Sequence, residues 1–251
     1  MKKIPTVAAA LSAIVLALAA GPAQAQIVNG GFNGLAGWTT GGDAASVGGD
    51  HLVLTTSSNA THTDADDANA GLASGARNVS GADPLYAGGG TGSLEEFVGV
   101  APGAFDPDPV NFVYAFEGSA ASQTFTAAAG SRLSFEWDLS TLDQRDPGLA
   151  DYAFVVIDGQ VIRLADAFAA TTPTADGAYT AHTGWMDYAT TFANGGAHTI
   201  SFGIVDVGDV IDTSALSITG VDVSAVPESS TLALMAAGLA MLALKRRRRD
   251  A

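Results

Sequence analysis

The chain of 251 residues contains no cysteine. Disulfide staples, thiolate metal sites and thiol nucleophiles are therefore all excluded, and the fold must rest on its core. Positive charge is almost as scarce. Between Gln26 and Val226 there is no lysine, and Arg77, Arg132, Arg145 and Arg163 stand against twenty-four Asp and Glu, a formal balance of −20. Such a surface repels nucleic acid and anionic lipid, so neither is expected as a partner. The four histidines, His51, His62, His182 and His198, have no zinc-binding spacing. There is no His-Glu-x-x-His and no Gly-x-Ser-x-Gly elbow, which argues against zinc hydrolysis and against an α/β-type serine hydrolase. Long apolar runs are missing as well: the two most apolar stretches, Val7 to Ala20 and Leu232 to Leu244, are both shorter than the roughly 20 residues of a comfortable membrane span.

What is present begins with Lys2-Lys3, the apolar stretch to Ala20, Gly21-Pro22 and the small-residue site Ala23-Gln24-Ala25. These are the parts of a secretory signal peptide, with cleavage expected before Gln26 by a signal peptidase after passage through the secretion machinery. At the other end Val226, Pro227 and Glu228 form a polar break, because proline cannot continue a strand and biases its predecessor to extended backbone. A short apolar helix follows, and then Lys245 and Arg246 to Arg249, which favour the cytoplasmic side of a membrane.

This order of motif, brief apolar helix and basic end resembles the PEP-CTERM sorting signal of Gram-negative bacteria, also described as an ice-binding protein C-terminal domain, a label that carries no ice binding. Ser229 stands where that family usually has a second proline. The resemblance implies recognition by exosortase, transient anchoring in the inner membrane, and delivery to the cell surface or exopolysaccharide matrix. The expected organisation is a signal peptide over 1–25, one extracellular domain over 26–225 and a sorting signal over 226–251.

Within the middle segment the hydrophobic period is two, as in strands joined by turns. Leu133, Phe135, Trp137 and Leu139 alternate with Ser134, Glu136 and Asp138; Tyr152 to Ile157, Asp158-Gly159 and Val161 to Leu164 spell a type I′ hairpin. Further strands are expected at Leu52–Thr55, Phe112–Phe116, Ser122–Thr126, Trp185–Phe192, His198–Val205 and Leu216–Val223, with a helical turn at 93–98. The segment from Ser57 to Gly92 reads as surface loops. The fold class is all-β, a single jelly-roll-like β-sandwich between an N-terminal signal helix and a short C-terminal hydrophobic helix. Glu117-Gly118-Ser119-Ala120, Asp151-Tyr152-Ala153-Phe154-Val155 and Val205-Asp206-Val207-Gly208-Asp209 together resemble the choice-of-anchor surface domains, which implies an extracellular sandwich and no particular activity.

Three sets of residues carry candidate chemistry. Asp143, Asp146 and Asp151 in one turn region, with Asp206, Asp209 and Asp212 in another, offer oxygen ligands to Ca²⁺; the alternative is that they cap turns. Asp64, Asp66 and Asp67 fail the EF-hand pattern, because Asn69 and Gly75 stand where Gly and Glu are needed. Trp38, Trp185 and Tyr188 are candidates to stack on sugar rings, with Trp38 alternatively a core residue beside Phe32. A glycosidase needs a carboxylate pair, and nothing singles out one such as Glu95 and Glu136. The sequence thus reads as a non-catalytic exported protein of structural or adhesive type, with an exopolysaccharide-binding module as the alternative.

Overall fold

The computed structural model describes residues 26–57, 77–78, 92–143, 148–174, 179–209, 212–225, 235, 237–242 and 245–246. The expected signal-peptide site Ala23/Ala25, the motif Val226-Pro227-Glu228, Asp146 and the Asp64–Asp67 segment lie outside them. The elements are β1 (Thr39–Gly41), β2 (Asp43–Val47), β3 (His51–Thr55), β4 (Arg77–Asn78), α1 (Leu94–Val98), β5 (Ala115–Ala127), β6 (Arg132–Thr141), β7 (Tyr152–Ile157), β8 (Gln160–Asp166), β9 (Thr172–Pro173), β10 (Ala181–His182), β11 (Met186–Thr191), β12 (Gly196–Val207) and β13 (Ser214–Ser224). Residues 237–242 are helical and mostly exposed, Met241 and Leu242 included; among the described residues no helix is long and apolar enough to cross a membrane.

The strands form two antiparallel sheets, as the period-two pattern predicts. Sheet A runs β1-β5-β12-β7-β8, with β4 beside another stretch of β5. Sheet B runs β2-β3-β13-β6, and β10 and β11 share the far edge of β6, with β9 beyond β10. Successive long strands change sheet: β5 lies in A, β6 in B, β7 and β8 in A, β11 in B, β12 in A and β13 in B. This crossing makes the β-sandwich jelly-roll-like. The Gly130 turn therefore carries the chain from one layer to the other, with Gly130 at φ +82.

Between the layers lies the main core. Leu133, Phe135, Trp137 and Leu139 of β6 face Ile200, Phe202 and Ile204 of β12, as alternation along each strand requires. Trp38 and Phe32 join them from the N-terminal loop, where Asn29 ties the turn by accepting from Asn33 N–H (2.9 Å) and donating to Gly34 O (2.9 Å). Gln123 fixes that loop to β5, accepting from Val28 N–H and donating to Val28 O and Gly37 O.

Sheet A is buried on its outer face as well. Tyr152, Phe154 and Val156 project outward from β7 and pack with Val205 and Val207 under a cover made of Leu94, Val98 and Phe105. An unbroken apolar run such as Tyr152–Ile157 is what a strand covered on both faces needs. The cover is braced at both ends of α1: Ser93 Oγ accepts from Glu96 N–H (3.1 Å), and Gly99 ends the helix at φ +76. Tyr152 Oη donates to Phe105 O at 2.6 Å, and burial pushes its phenol pKa upward, so it stays a neutral donor.

One strand starts later than the alternation suggests. Phe112 is not in β5 but caps a 3-10 turn (Pro109–Asn111) at φ +61, because Asp108 accepts from both Asn111 N–H and Asn111 Nδ2 and curls the chain before Ala115. Asp158 (φ +50) and Gly159 (φ +80) form the type I′ turn between β7 and β8 as expected.

Candidate functional site

With sheet A covered, the outer face of sheet B is the broad face left open among the described residues. Residues on it follow from register, since cross-strand partners share a face. Leu52, Leu54, Leu216 and Ile218 point inward, so His51, Val53, Ser217 and Thr219 point out. Ser217 pairs with Asp138 and Thr219 with Glu136; Glu136 pairs in turn with Asp187 of β11.

Trp185 immediately precedes β11 and is 47% exposed. Its ring stands 5.0 Å from that of His51, centroid to centroid. Three strand spacings separate β11 from β3, roughly 14 Å at the usual separation, so the indole and the imidazole lean toward each other across the sheet. Gly184, at φ +74, turns the chain so that this side chain is set over the face. Around it His182 Nδ1 contacts Asp138 Oδ2 (2.9 Å), Thr183 Oγ1 donates to Asp138 Oδ1 (3.0 Å), and His51 contacts Asp50. An exposed aromatic plane surrounded by carboxylates and hydroxyls can stack on the C–H face of a sugar while the polar groups take its hydroxyls.

The other candidate tryptophan has a different fate. Trp38 is 7% exposed, lies 5.2 Å from Phe32 and 5.7 Å from Phe202, and donates from Nε1 to Asn29 O at 3.2 Å. It is a core residue and has no face for a sugar, which corrects that part of the expectation. Tyr188 pairs with Phe135, an inward residue, and stacks on it at 4.8 Å, so it belongs to the edge of the core and not to the face of Trp185. Glu95 and Glu136 are also separated: Glu95 is buried on the cover over sheet A, where it accepts from Gly103 N–H, and Glu136 is exposed on the outer side of sheet B. They cannot flank one glycosidic bond.

The aspartates expected to hold Ca²⁺ meet in part. Asp151 is buried, its Oδ1 accepts from Val207 N–H (3.0 Å), and its own N–H donates to Asp143 Oδ2 (3.1 Å). Burial raises its pKa well above the carboxylate range; the Ser214 hydroxyl opposes the rise, the Asp143 charge adds to it, the Val207 N–H opposes it and the Asp209 charge adds to it. Asp206 lies within β12 opposite Glu117, not in the turn, and Asp212 turns the chain at φ +71. Among the described residues no three Asp, Glu or His side chains converge as metal ligands. Asp146 lies outside the described residues; Asp143 and Asp151 order strand ends, the work aspartate side chains do by accepting from backbone N–H groups.

A cleft of about 370 Å³ opens at one end of the sandwich, lined by Asp158, Gln160, Phe192, Asn194 and His198. At its base His198 Nδ1 contacts Asp158 Oδ2 (2.7 Å) and Nε2 contacts Asn194 O (3.1 Å). Both ring nitrogens are engaged in holding two turns together, which leaves neither for general-base work.

The sequence offers Trp185 as a candidate but does not show what surrounds it, His51 and the outward residues of β13 and β11. The signal for them was the alternation of β3, β13 and β11, which becomes useful only once the pairing of the strands is known. No protein-family model matches the chain, and no curated protein matches it. Among solved structures, TmCBM61 in complex with β-1,4-galactotriose aligns over 78% of this chain and 97% of its own at 12% identity and a TM-score of 0.32, a level at which the likeness assigns neither ligand nor activity to this chain.

Proposed function

We propose that the protein is an exported, non-catalytic glycan-binding sandwich that holds polysaccharide on the outer face of sheet B. The observation that carries this reading is the exposed indole of Trp185, leaning to His51 across a face on which β13 presents Ser217 and Thr219 and β6 presents Asp138 and Glu136. A large aromatic left half exposed on this face forgoes part of the burial that favours it, roughly 25 cal/mol per Å² of apolar area, and regains it when a sugar ring covers it. A glycan array probed with the wild-type chain and with Trp185→Ala tests it. Saturable binding that disappears in the variant, with an unchanged melting temperature, is the expected result; equal binding by both proteins would refute the site.

A second reading, a structural or adhesive surface protein, is favoured by the terminal sequence signals. In that reading signal peptidase acts after Ala25 and exosortase at the Val226-Pro227-Glu228 tail, leaving the sandwich at the cell surface or in the exopolysaccharide matrix. The two are compatible, since a matrix protein that grips polysaccharide is both. Fractionating cells with and without active exosortase and sizing the protein in each fraction tests the sorting; full-length protein in the cytosol with residues 1–25 intact would overturn it.

A further inference from the structure

Among the described residues, the ring that meets the Trp185 indole is that of His51. The two planes are inclined by 37° with centroids 5.0 Å apart, closer to an offset stack than to an edge contact. The imidazole thus lies against one side of the indole, which remains 47% exposed. His51 is itself held. Its Nδ1 contacts Asp50 Oδ1, and because an ionised carboxylate only accepts, Nδ1 is the nitrogen that donates, which fixes the rotation of the ring. Asp50 is anchored by its backbone: its N–H donates to Val47 O across the turn 48–50, and its carbonyl accepts from Thr219 Oγ1 of β13 at 2.7 Å. The turn also leaves room for the carboxylate, since Gly48 stands at φ +65 and a Cβ there would come within 2.8 Å of Asp50 Oδ1. A line of contacts therefore runs from β13 through Asp50 and the imidazole to the indole. The core does not require it, for His51 lies outside the main cluster on the open face.

Resting on the glycan-binding reading above, we infer that His51 is a positioning residue for the sugar platform. Anchored through Asp50, it holds the indole in one orientation before the ligand arrives and backs one of its sides, so that a sugar ring is offered the other. A tryptophan just outside an edge strand with no such backing would be ordered only on binding, and that lost side-chain freedom would be subtracted from the affinity. His51 acts here by the flat shape of its ring, through Trp185, and not by touching the sugar. A flat apolar ring at the same position therefore serves the same purpose, and a methyl group does not.

The test uses the full chain as wild type, His51→Ala and His51→Phe, with two readouts. Acrylamide quenching of tryptophan emission, after subtraction of the Trp185→Ala signal, reports access to this indole, because Trp38 and Trp137 are buried. Titration calorimetry with hexasaccharides of glucose, galactose, mannose and N-acetylglucosamine reports affinity. In His51→Ala the quenching of Trp185 should steepen, and the hexasaccharide bound by the wild type should bind about three- to tenfold more weakly, the range expected when one side chain must be ordered on binding. His51→Phe should restore both. Unchanged quenching or unchanged affinity in His51→Ala overturns the inference, and glycan binding still stands if Trp185→Ala alone abolishes it. A loss in His51→Ala that phenylalanine does not recover overturns it too, since the imidazole would then bond the sugar directly. No binding of any hexasaccharide by the wild type, here or on the array, removes the glycan reading and the inference with it.

Discussion

Phe154 of β7 lays its ring against the bare backbone of its cross-strand partner Gly203 on β12: a Cβ added at Gly203 would come within 2.1 Å of Cζ of the ring. The ring is fully buried and stacks on Phe105 at 4.4 Å, so it has nowhere to retreat. Gly203→Ala should therefore destabilise by about 1–3 kcal/mol, the usual cost of overpacking. Urea unfolding measures it, and an unchanged midpoint would mean that the ring is not pinned as described.

The two tryptophans should separate stability from binding. Trp38→Ala removes an indole packed between Phe32 and Phe202 and should cost about 3–5 kcal/mol. Trp185→Ala should change stability by no more than about 0.5 kcal/mol, as exposed substitutions do. Thermal melts of the pair check this, and a large loss for Trp185→Ala would make that residue structural.

Asp151 should make stability depend on pH with a definite sign. Its pKa is raised in the folded state, so between the ordinary aspartate value near 3.8 and the folded value the native protein binds more protons than the unfolded chain. Its contribution is fullest below that lower limit and declines as pH rises through the folded value. In Asp151→Asn, which keeps an acceptor for Val207 N–H, melting temperature should fall less steeply from about pH 4 to neutrality than in the wild type. Parallel melting curves for the two proteins across that range would rule the effect out.

Asp158 holds three things at once: the left-handed turn position between β7 and β8, the ring of His198, and Thr199 N–H at 2.9 Å. Asp158→Ala should cost about 1–3 kcal/mol by leaving the nearly buried imidazole and an amide without their acceptor. Amide hydrogen exchange at Thr199 reports it locally, and undiminished protection there would contradict the assignment.

How far the fold was legible depended on whether the information was local. The β6 alternation and the Asp158-Gly159 turn are written in adjacent residues, and both stand in the structure as read. The sheet to which each strand belongs is not written locally, and this is why the two tryptophans were inseparable. Trp38 and Trp185 both follow a glycine with positive φ, Gly37 at +90 and Gly184 at +74, and the flanking text says nothing more. One is delivered between the layers by a loop pinned to Gln123, the other onto the open face by the end of β10. Phe112 shows the converse: its apolar neighbours suggest strand, but the side chain of Asp108, four residues earlier, had already bent the chain. Buried carboxylates were hardest to read, because an aspartate that bonds an amide at a strand end and one that binds a cation look alike until partners are placed.

The last strand of the sandwich, β13, is not at a margin but clamped between β3 and β6, antiparallel to both. A pull applied to the chain beyond Ser224 acts along the strand axis and strains its ladder bonds together, where an edge strand peeled sideways would yield them one after another. Single-molecule stretching with a handle at the C-terminus should give one abrupt rupture in place of a gradual series. A sandwich held through β13 is thus built to carry mechanical load along that strand.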